Sequence, residues 1–427
     1  MPSADTRAST AGVGASSPHA ADPDADKYRP GDAGYRRLSL ALFAAGLVAF
    51  GLLYSTQALL PALSDDLGAG AGATSWTVSG ATAGLALAVL PLSALSERFG
   101  RRRTMTLSLT AAVALALLMP LAPSLGTLIA LRVAQGVALA GVPASAMAFL
   151  SEEVRARALV GAVGVFIAGN SIGGMSGRIL TGWITQLWGW REALAVLGAT
   201  SLLATVAYAV LAPRARHFTP SPVSPRALVR TVRTHLSNPL LARLYVIGLL
   251  FMTVFGAVYT VIGYRLVGEE FGLSQGLVGS IFVIYLVGTV SSATSGHLHA
   301  RLGRRSTLYV AITTTMAGLL LSLADNLLAV VAGLVLITAG FFAGHAVASG
   351  AVSHTATEGR AQASALYQMA YYLGSSAGGT VGALAYHAGG WPATVAFTLC
   401  ALLGAAGTTL YATRRAVLAR RAAPVAA

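Results

Sequence analysis

Cysteine, lysine and deeply placed acids are what this 427-residue chain has least of. Cys400 is its single cysteine, which excludes an intramolecular disulfide and a cysteine-based metal cluster. Lys27 is its single lysine, so the rest of its 29 basic residues are arginine. Charged side chains make up 10% of the sequence, against about 25% in soluble domains. No HExxH, no G-x-x-x-x-G-K-[ST] and no Cys/His cluster occurs, so the residues for zinc-dependent or nucleotide hydrolysis are missing. The chain does not read as an enzyme, and no cofactor or metal is expected.

What it has instead is apolar length. Hydrophobic residues make up 55%, in uncharged runs of about 20 residues, enough to cross about 30 Å of hydrocarbon. Twelve spans are predicted, near 38–60, 74–96, 104–122, 127–150, 159–182, 191–212, 241–264, 275–297, 306–324, 327–350, 363–386 and 393–413. The 48 glycines, many inside these runs, let helices approach closely. The formal charge of +14 suggests nucleic acid until its placement is read. Of the 29 basic residues, 25 fall on one predicted side, leaving Arg132, Arg178, Arg191 and Arg265. That bias puts both termini in the cytoplasm. The chain's non-protein partner is then the lipid bilayer.

Ser93–Arg103, SALSERFGRRR, is the loop around which the chain is ordered. It joins two apolar runs, and a degenerate copy, GHLHARLGRR, follows at 296–305. Other landmarks repeat in the same order. Phe50-Gly51-x-x-Tyr54 recurs as Phe255-Gly256-x-x-Tyr259, an offset of 205 (255 − 50). Asp65-Asp66-Leu67-Gly68 recurs as Glu269-Glu270-Phe271-Gly272, and the glycine run Gly169-x-x-x-Gly173-Gly174-x-x-Gly177 recurs from Gly374. A duplicated six-span unit follows. The expected organisation is a disordered cytoplasmic tail at 1–34, a six-helix bundle at 35–212, a cytoplasmic linker at 213–240, a second bundle at 241–413 and a short cytoplasmic tail at 414–427. In the linker, Leu228, Val232 and Leu236 share one face, offset from Arg226, Arg230 and Arg233. That pattern suits an interfacial helix or a solvated linker.

These features resemble the Major Facilitator Superfamily (MFS), whose loop between spans two and three reads roughly G-x-L-A-D-R-x-G-R-R/K. Leu95, Arg98, Gly100, Arg101 and Arg102 match it, with Glu97 for the aspartate and Ser93 for the first glycine. In the second copy Gly296, Leu298, Arg301, Gly303, Arg304 and Arg305 match, while Ala300 holds the acid position. FLSEEV (149–154), GNSIGGMSGRILTG (169–182), FFAGHAVASG (341–350) and LYQMAYYLGSSAGGT (366–380) resemble the YnfM-type branch of bacterial inner-membrane permeases, generally described as efflux carriers. The resemblance implies an all-α integral membrane protein with the MFS fold, twelve transmembrane helices as two pseudo-symmetric six-helix bundles. It also implies alternating access, and a single such bundle is expected to work as a monomer.

The candidate residues follow. Glu97, Arg98, Gly100, Arg101, Arg102, Arg301, Gly303 and Arg304 form a gating loop, in which Glu97 pairs with arginines in one state and separates in the other. The alternative for the arginines is orientation alone. Gly169, Gly173, Gly174 and Gly177 form a packing seam like the efflux antiporters' G-x-x-x-G-P-x-x-G-G, with Gly174 at the proline and Arg178 at the last glycine. Arg132 and Gln135 share a face of span four, Arg132 being either a cavity cation or a residue that snorkels to the headgroups. The same choice holds for Arg178. His345, the one histidine well inside a span, is a proton carrier or a packing residue. Tyr54, Gln57, Tyr259, Asn170, Gln368, Tyr371, Tyr372 and Tyr264 supply aromatic and amide lining, with interfacial belting as the other reading of Tyr264. Beyond the first 34 residues every acid lies in a loop or at a span end: Asp65, Asp66, Glu97, Glu152, Glu153, Glu192, Glu269, Glu270, Asp325 and Glu358. A buried carboxylate relay for protons is therefore missing. The function expected is proton-coupled export of small organic molecules or drugs, powered by the proton gradient; import or facilitated passage of a small anionic metabolite is the alternative.

Overall fold

Lipid offers no hydrogen bonds to a backbone, so an apolar chain that crosses it must satisfy its own N–H and C=O groups in helices. The structure, a computed structural model, describes residues 26–220 and 224–422, with side chains as far as Tyr411. Among these residues, ten helices are long and apolar enough to cross a membrane. In chain order, α1 is Ala33–Leu67, α2 Ala71–Phe99, α3 Arg101–Leu121, α4 Leu125–Glu153, α5 Ala156–Trp188 and α6 Trp190–Leu211. A surface helix, α7, spans Pro225–Ser237. Then come α8 at Pro239–Val267, α9 at Gln275–Leu321, α10 at Leu327–Thr355 and α11 at Arg360–Tyr411.

The spans expected at 275–297 and 306–324 share the single rod α9, and those at 363–386 and 393–413 share α11. Each rod is interrupted by glycine. Gly303 takes φ 77° inside α9, and Gly390 takes φ 65° inside α11. Left-handed φ is a conformation that a side chain disfavours. The junctions are so tight that no loop residues separate the helical stretches. Another break matters more for the site: α1 unwinds at Tyr54–Thr56 before resuming.

Both halves are held by the same seam. On α5 a Cβ at Gly169 would overlap the Phe43 carbonyl of α1, and one at Gly173 the Leu47 carbonyl. On α11 the repeat-related Gly374 and Gly378 meet Leu249 and Thr253 of α8 in the same way. Small residues here bring two backbones into contact. Gly174 instead faces side chains, and a Cβ there would crowd the Arg178 guanidinium at 3.3 Å.

α7 starts at Ser224, whose hydroxyl accepts from Ala227 N–H, followed by Pro225 in the first turn. Leu228 and Val232 are half-buried, whereas Leu236 is exposed. Of the tail expected at 1–34, residues 1–25 lie outside the described residues. Its end is packed: Tyr28 is buried and its N–H donates to the Glu153 carbonyl at 2.9 Å. Residues 221–223 of the linker and 423–427 of the second tail also lie outside the described residues, while the last helix continues to Ala422.

Candidate functional site

The two halves, residues 33–211 and 239–411, meet most firmly at the end opposite the arginine loops. Tyr264 of α8 lies 2.8 Å from the Ser64 hydroxyl and 2.6 Å from that of Thr74, and donates to the Leu60 carbonyl at 3.1 Å. Gln275 donates to the Ala58 carbonyl, and Gly276 N–H to Gln186 Oε1 at 2.9 Å. Trp183 Nε1 reaches the Ser280 hydroxyl at 2.9 Å. At the arginine-loop end, the Gln362 amide lies 3.5 Å from Glu97 Oε1, the outer limit of a hydrogen bond. Tyr264 thus closes one end of the molecule rather than belting it.

The arginine loops do local work in this state. Arg101 pairs with Glu152 at 3.0 Å and donates to the Ser96 hydroxyl at 2.6 Å. Arg102 donates to the Ala209 carbonyl at 3.3 Å, and the Arg98 guanidinium sits 5.4 Å from the centre of its neighbour Phe99. Gly100 turns the chain at φ 96°. The carboxylate facing Arg101 in this state is Glu152, while Glu97 stands apart from the arginines and faces Gln362. Arg301 and Gly303 are exposed and Arg304 is half-buried in the second copy. Glu153, also overlooked in the sequence, is fully buried and accepts from Arg216 N–H at 2.6 Å and His217 N–H at 3.0 Å, tying the linker down. The clue was available: two adjacent acids end a span and a basic linker follows.

Arg132 is neither a cavity cation nor a snorkelling residue. It is 0% exposed. Its Nε donates to the Thr77 carbonyl at 2.7 Å and its Nη1 to the Leu52 carbonyl at 2.7 Å and the Ser55 hydroxyl at 3.1 Å. The Leu53 carbonyl and Gln135 Oε1 take further N–H groups. Gln135 in turn donates to the Ala112 carbonyl at 3.0 Å. The acceptors on α1 lie at its Tyr54–Thr56 break, where the Leu53 carbonyl leaves the helical ladder and would otherwise be orphaned in an apolar interior, while the Leu52 carbonyl also accepts from Ser55 N–H at 3.2 Å. Arg132 therefore staples the break within its own half.

That break turns Tyr54 and Gln57 towards the other half, and Arg178 of α5 meets them there. Arg178 is 2% exposed. Its Nε donates to Gln57 Oε1 at 2.8 Å and its Nη1 to the Gly174 carbonyl at 2.5 Å. Its guanidinium carbon lies 4.5 Å from the ring centre of Tyr54, 4.7 Å from Phe282 and 5.0 Å from Tyr285. The Gln57 amide donates onward to the Thr260 hydroxyl at 3.3 Å, so one polar chain crosses between the halves. The Tyr54 hydroxyl faces Ser375 without a well-formed hydrogen bond.

From this cage an aromatic column runs towards the arginine-loop end. Tyr285 meets Tyr259 edge to face at 5.0 Å, and Tyr259 is hydrogen-bonded to Thr338 at 2.6 Å. Phe255 stacks on Phe341 at 3.9 Å, and His345 lies 5.9 Å from Phe341 and 4.7 Å from Tyr371. His345 Nδ1 is 3.0 Å from the Tyr367 hydroxyl. Tyr371 packs edge to face on Tyr372 at 5.1 Å. His345, Tyr371, Gln368 and Asn170 are half-buried, and the Asn170 Oδ1 has no hydrogen-bond partner. Phe282 and Tyr285 of α9 were missed in the sequence because they meet the Arg178 side chain only once the helices are packed, and Phe341 of α10 because it meets Phe255 of α8 in the same way. The repeated Phe-Gly-x-x-Tyr motif was the available signal.

The sequence profile of the Major Facilitator Superfamily matches residues 41–265 and, separately, 244–427. The chain is 37% identical over 387 residues to the uncharacterized MFS-type transporter YybF of Bacillus subtilis (strain 168), covering 90% of this chain and 96% of that protein. It is 38% identical over 379 residues to the inner membrane transport protein YnfM of Escherichia coli (strain K12), covering 88% of this chain and 91% of that one. Among solved structures, a bacterial homolog of the human lysosomal transporter Spinster, in its inward-facing and unoccupied conformation, superposes with a TM-score of 0.72 at 15% identity. That match covers 91% of this chain and 98% of that one. With an all-α fold, apolar helices throughout and two family matches end to end, the chain belongs to the Major Facilitator Superfamily, as a multi-pass bacterial membrane transporter related to the YnfM and YybF branch and not an enzyme.

Proposed function

We propose that this protein is a secondary active carrier that exports small organic molecules by alternating access, driven by proton entry. The observation that carries the carrier reading is the one-ended closure between the halves, sealed around Tyr264 and weakly joined between Glu97 and Gln362. Such a seal must break for the opposite state to form. The glycine breaks in α9 and α11 support twelve spans in two six-helix bundles, and the arginine bias supports a cytoplasmic arginine-loop end. The molecule then stands open inward, with both termini inside.

His345 is the candidate proton carrier, since among the described residues no carboxylate lies in the middle of a span. Replacing it in His345→Gln should abolish exchange driven by a pH gradient while leaving substrate binding intact; unchanged coupling removes His345 from that role. A second reading, passage of a small anionic metabolite without a fixed export direction, is favoured by Arg178, a buried cation with no acid beside it. Both are tested in inverted vesicles holding a proton gradient, with dye quenching as the readout and a panel of cationic dyes, organic acids and sugars. Export coupled to protons requires that one class collapse the gradient only when the protein is present. Equilibration of labelled compounds without proton movement would leave the facilitator.

A further inference from the structure

We infer that Arg178 and Tyr54 bind the carboxylate of a small organic acid, whose apolar or aromatic body lies along the ring column towards His345. This rests on the carrier reading and names its substrate class.

Three buried arginines make the case by contrast. Arg265 is paired with Glu270 at 2.5 Å and Asp325 at 3.4 Å. Arg132 has carbonyl, amide and hydroxyl oxygens around its whole fork. Arg178 is the one left short. Its Nε and Nη1 are engaged, while among the described residues no hydrogen bond reaches Nη2. The rings of Tyr54, Phe282 and Tyr285 stabilise the charge in part. Among the described residues no carboxylate pairs with it, and an uncompensated cation in an apolar interior is costly. Beside it the Tyr54 hydroxyl, on a side chain 5% exposed, is also without a partner. A free guanidinium N–H and a free phenol O–H, both buried and adjacent, match the two oxygens of a carboxylate.

The internal repeat supports a functional origin. With the offset of 205, Tyr54 corresponds to Tyr259, but Arg178 falls opposite Ala383 and Gln57 opposite Ile262. The seam glycines are duplicated and the cation is not, so packing does not require it. A cationic substrate is disfavoured by the same charge. A dianion would leave its second charge among the rings of Phe282, Tyr285 and Phe341 with no cation to meet it. The half-buried faces of Phe50, Tyr371 and His345 lie on the arginine-loop side of Arg178, where the body of the molecule would enter.

The test uses the purified full-length protein in lipid nanodiscs. Radiolabelled benzoate, phenylacetate and octanoate are each compared with the neutral amide of the same skeleton. The protein should bind at least one acid about tenfold or more tightly than its amide, the worth of one charge-assisted contact. Arg178→Gln should erase that preference, Arg178→Lys should restore part of it, and Tyr54→Phe should weaken acid binding several-fold without loss of fold, since its hydroxyl has no partner to orphan. If Arg178→Gln fails to fold, Arg178→Lys and Tyr54→Phe decide the matter by the same acid-to-amide ratio. Equal binding of acids and amides, no acid binding, or an unchanged ratio in the variants overturns the proposal. Spin labels at positions 97 and 362 report the rocking separately. Movement without acid preference would overturn the site and leave the carrier standing; acid binding at Arg178 with a fixed separation would overturn the carrier alone.

Discussion

Arg132 and Arg178 lie at the same break in α1, and among the described residues neither has an acid paired with it, yet they serve different parts of the molecule. Arg132 approaches from within its own half and meets the main-chain carbonyls of Leu52 and Leu53 beside the break. Arg178 approaches from the side that faces the other half and meets an amide, one carbonyl and three rings. The difference teaches that burial alone does not mark a functional cation. What matters is how many of its donors the protein has already used. A saturated guanidinium is architecture, and one with a spare N–H between the halves is the site we propose.

The largest effect that would sharpen this contrast is on Arg132. Truncation in Arg132→Ala leaves the Leu53 carbonyl and the Gln135 amide oxygen without their donor, at about 1–3 kcal/mol for each group left unsatisfied, and empties the space of a fully buried side chain. Folded yield and thermal stability in detergent should collapse, far beyond the loss for Arg178→Gln. Equal stability of the two variants would break the distinction.

A smaller effect is expected at the seal that holds Arg178 between the halves. Tyr264→Phe removes the hydroxyl shared by Ser64, Thr74 and Leu60, so the closed end should loosen by about 1–2 kcal/mol. With Cys400→Ser as background, a cysteine at position 61 should then react faster with a maleimide added from the far side. If the rate does not change, Tyr264 is not the latch.

The smallest effect concerns Arg265, the arginine that does have acids. Its hydrogen bond to Glu270 at 3.0 Å holds that loop carboxyl below the usual carboxylate range. The lowered value means that the contribution is present above the unfolded carboxyl pKa and is lost as pH falls through the folded one. Because Glu270 is partly exposed, Glu270→Gln should cost no more than about 1 kcal/mol. A melting-temperature series should show wild type and variant converging in acid.

Much of the fold was legible because hydrocarbon imposes length. The apolar runs, the arginine loops and the 205-residue repeat each follow from one-dimensional spacing. The seam glycines Gly169, Gly173 and Gly177 were readable for the same reason: helical period places them on one face. Less legible were the junctions. At Gly303 and at Gly389–Gly390 the sequence pattern suggests loops, whereas the helices abut with only a glycine kink. Pairing at the arginine loop also depended on geometry, because Glu97 and Glu152 are both plausible partners until one helix end is placed beside another.

By itself the sequence determined the class of molecule, its duplicated plan and spans whose middles hold arginine and histidine but no acid. Those are properties of composition and order. Only the tertiary structure decided which arginine is spoken for. Arg132's acceptors are backbone carbonyls, which every residue carries and no sequence distinguishes. The one at Leu53 is out of the helical ladder only because α1 unwinds, and that break in turn carries Tyr54 and Gln57 to the face where Arg178 waits.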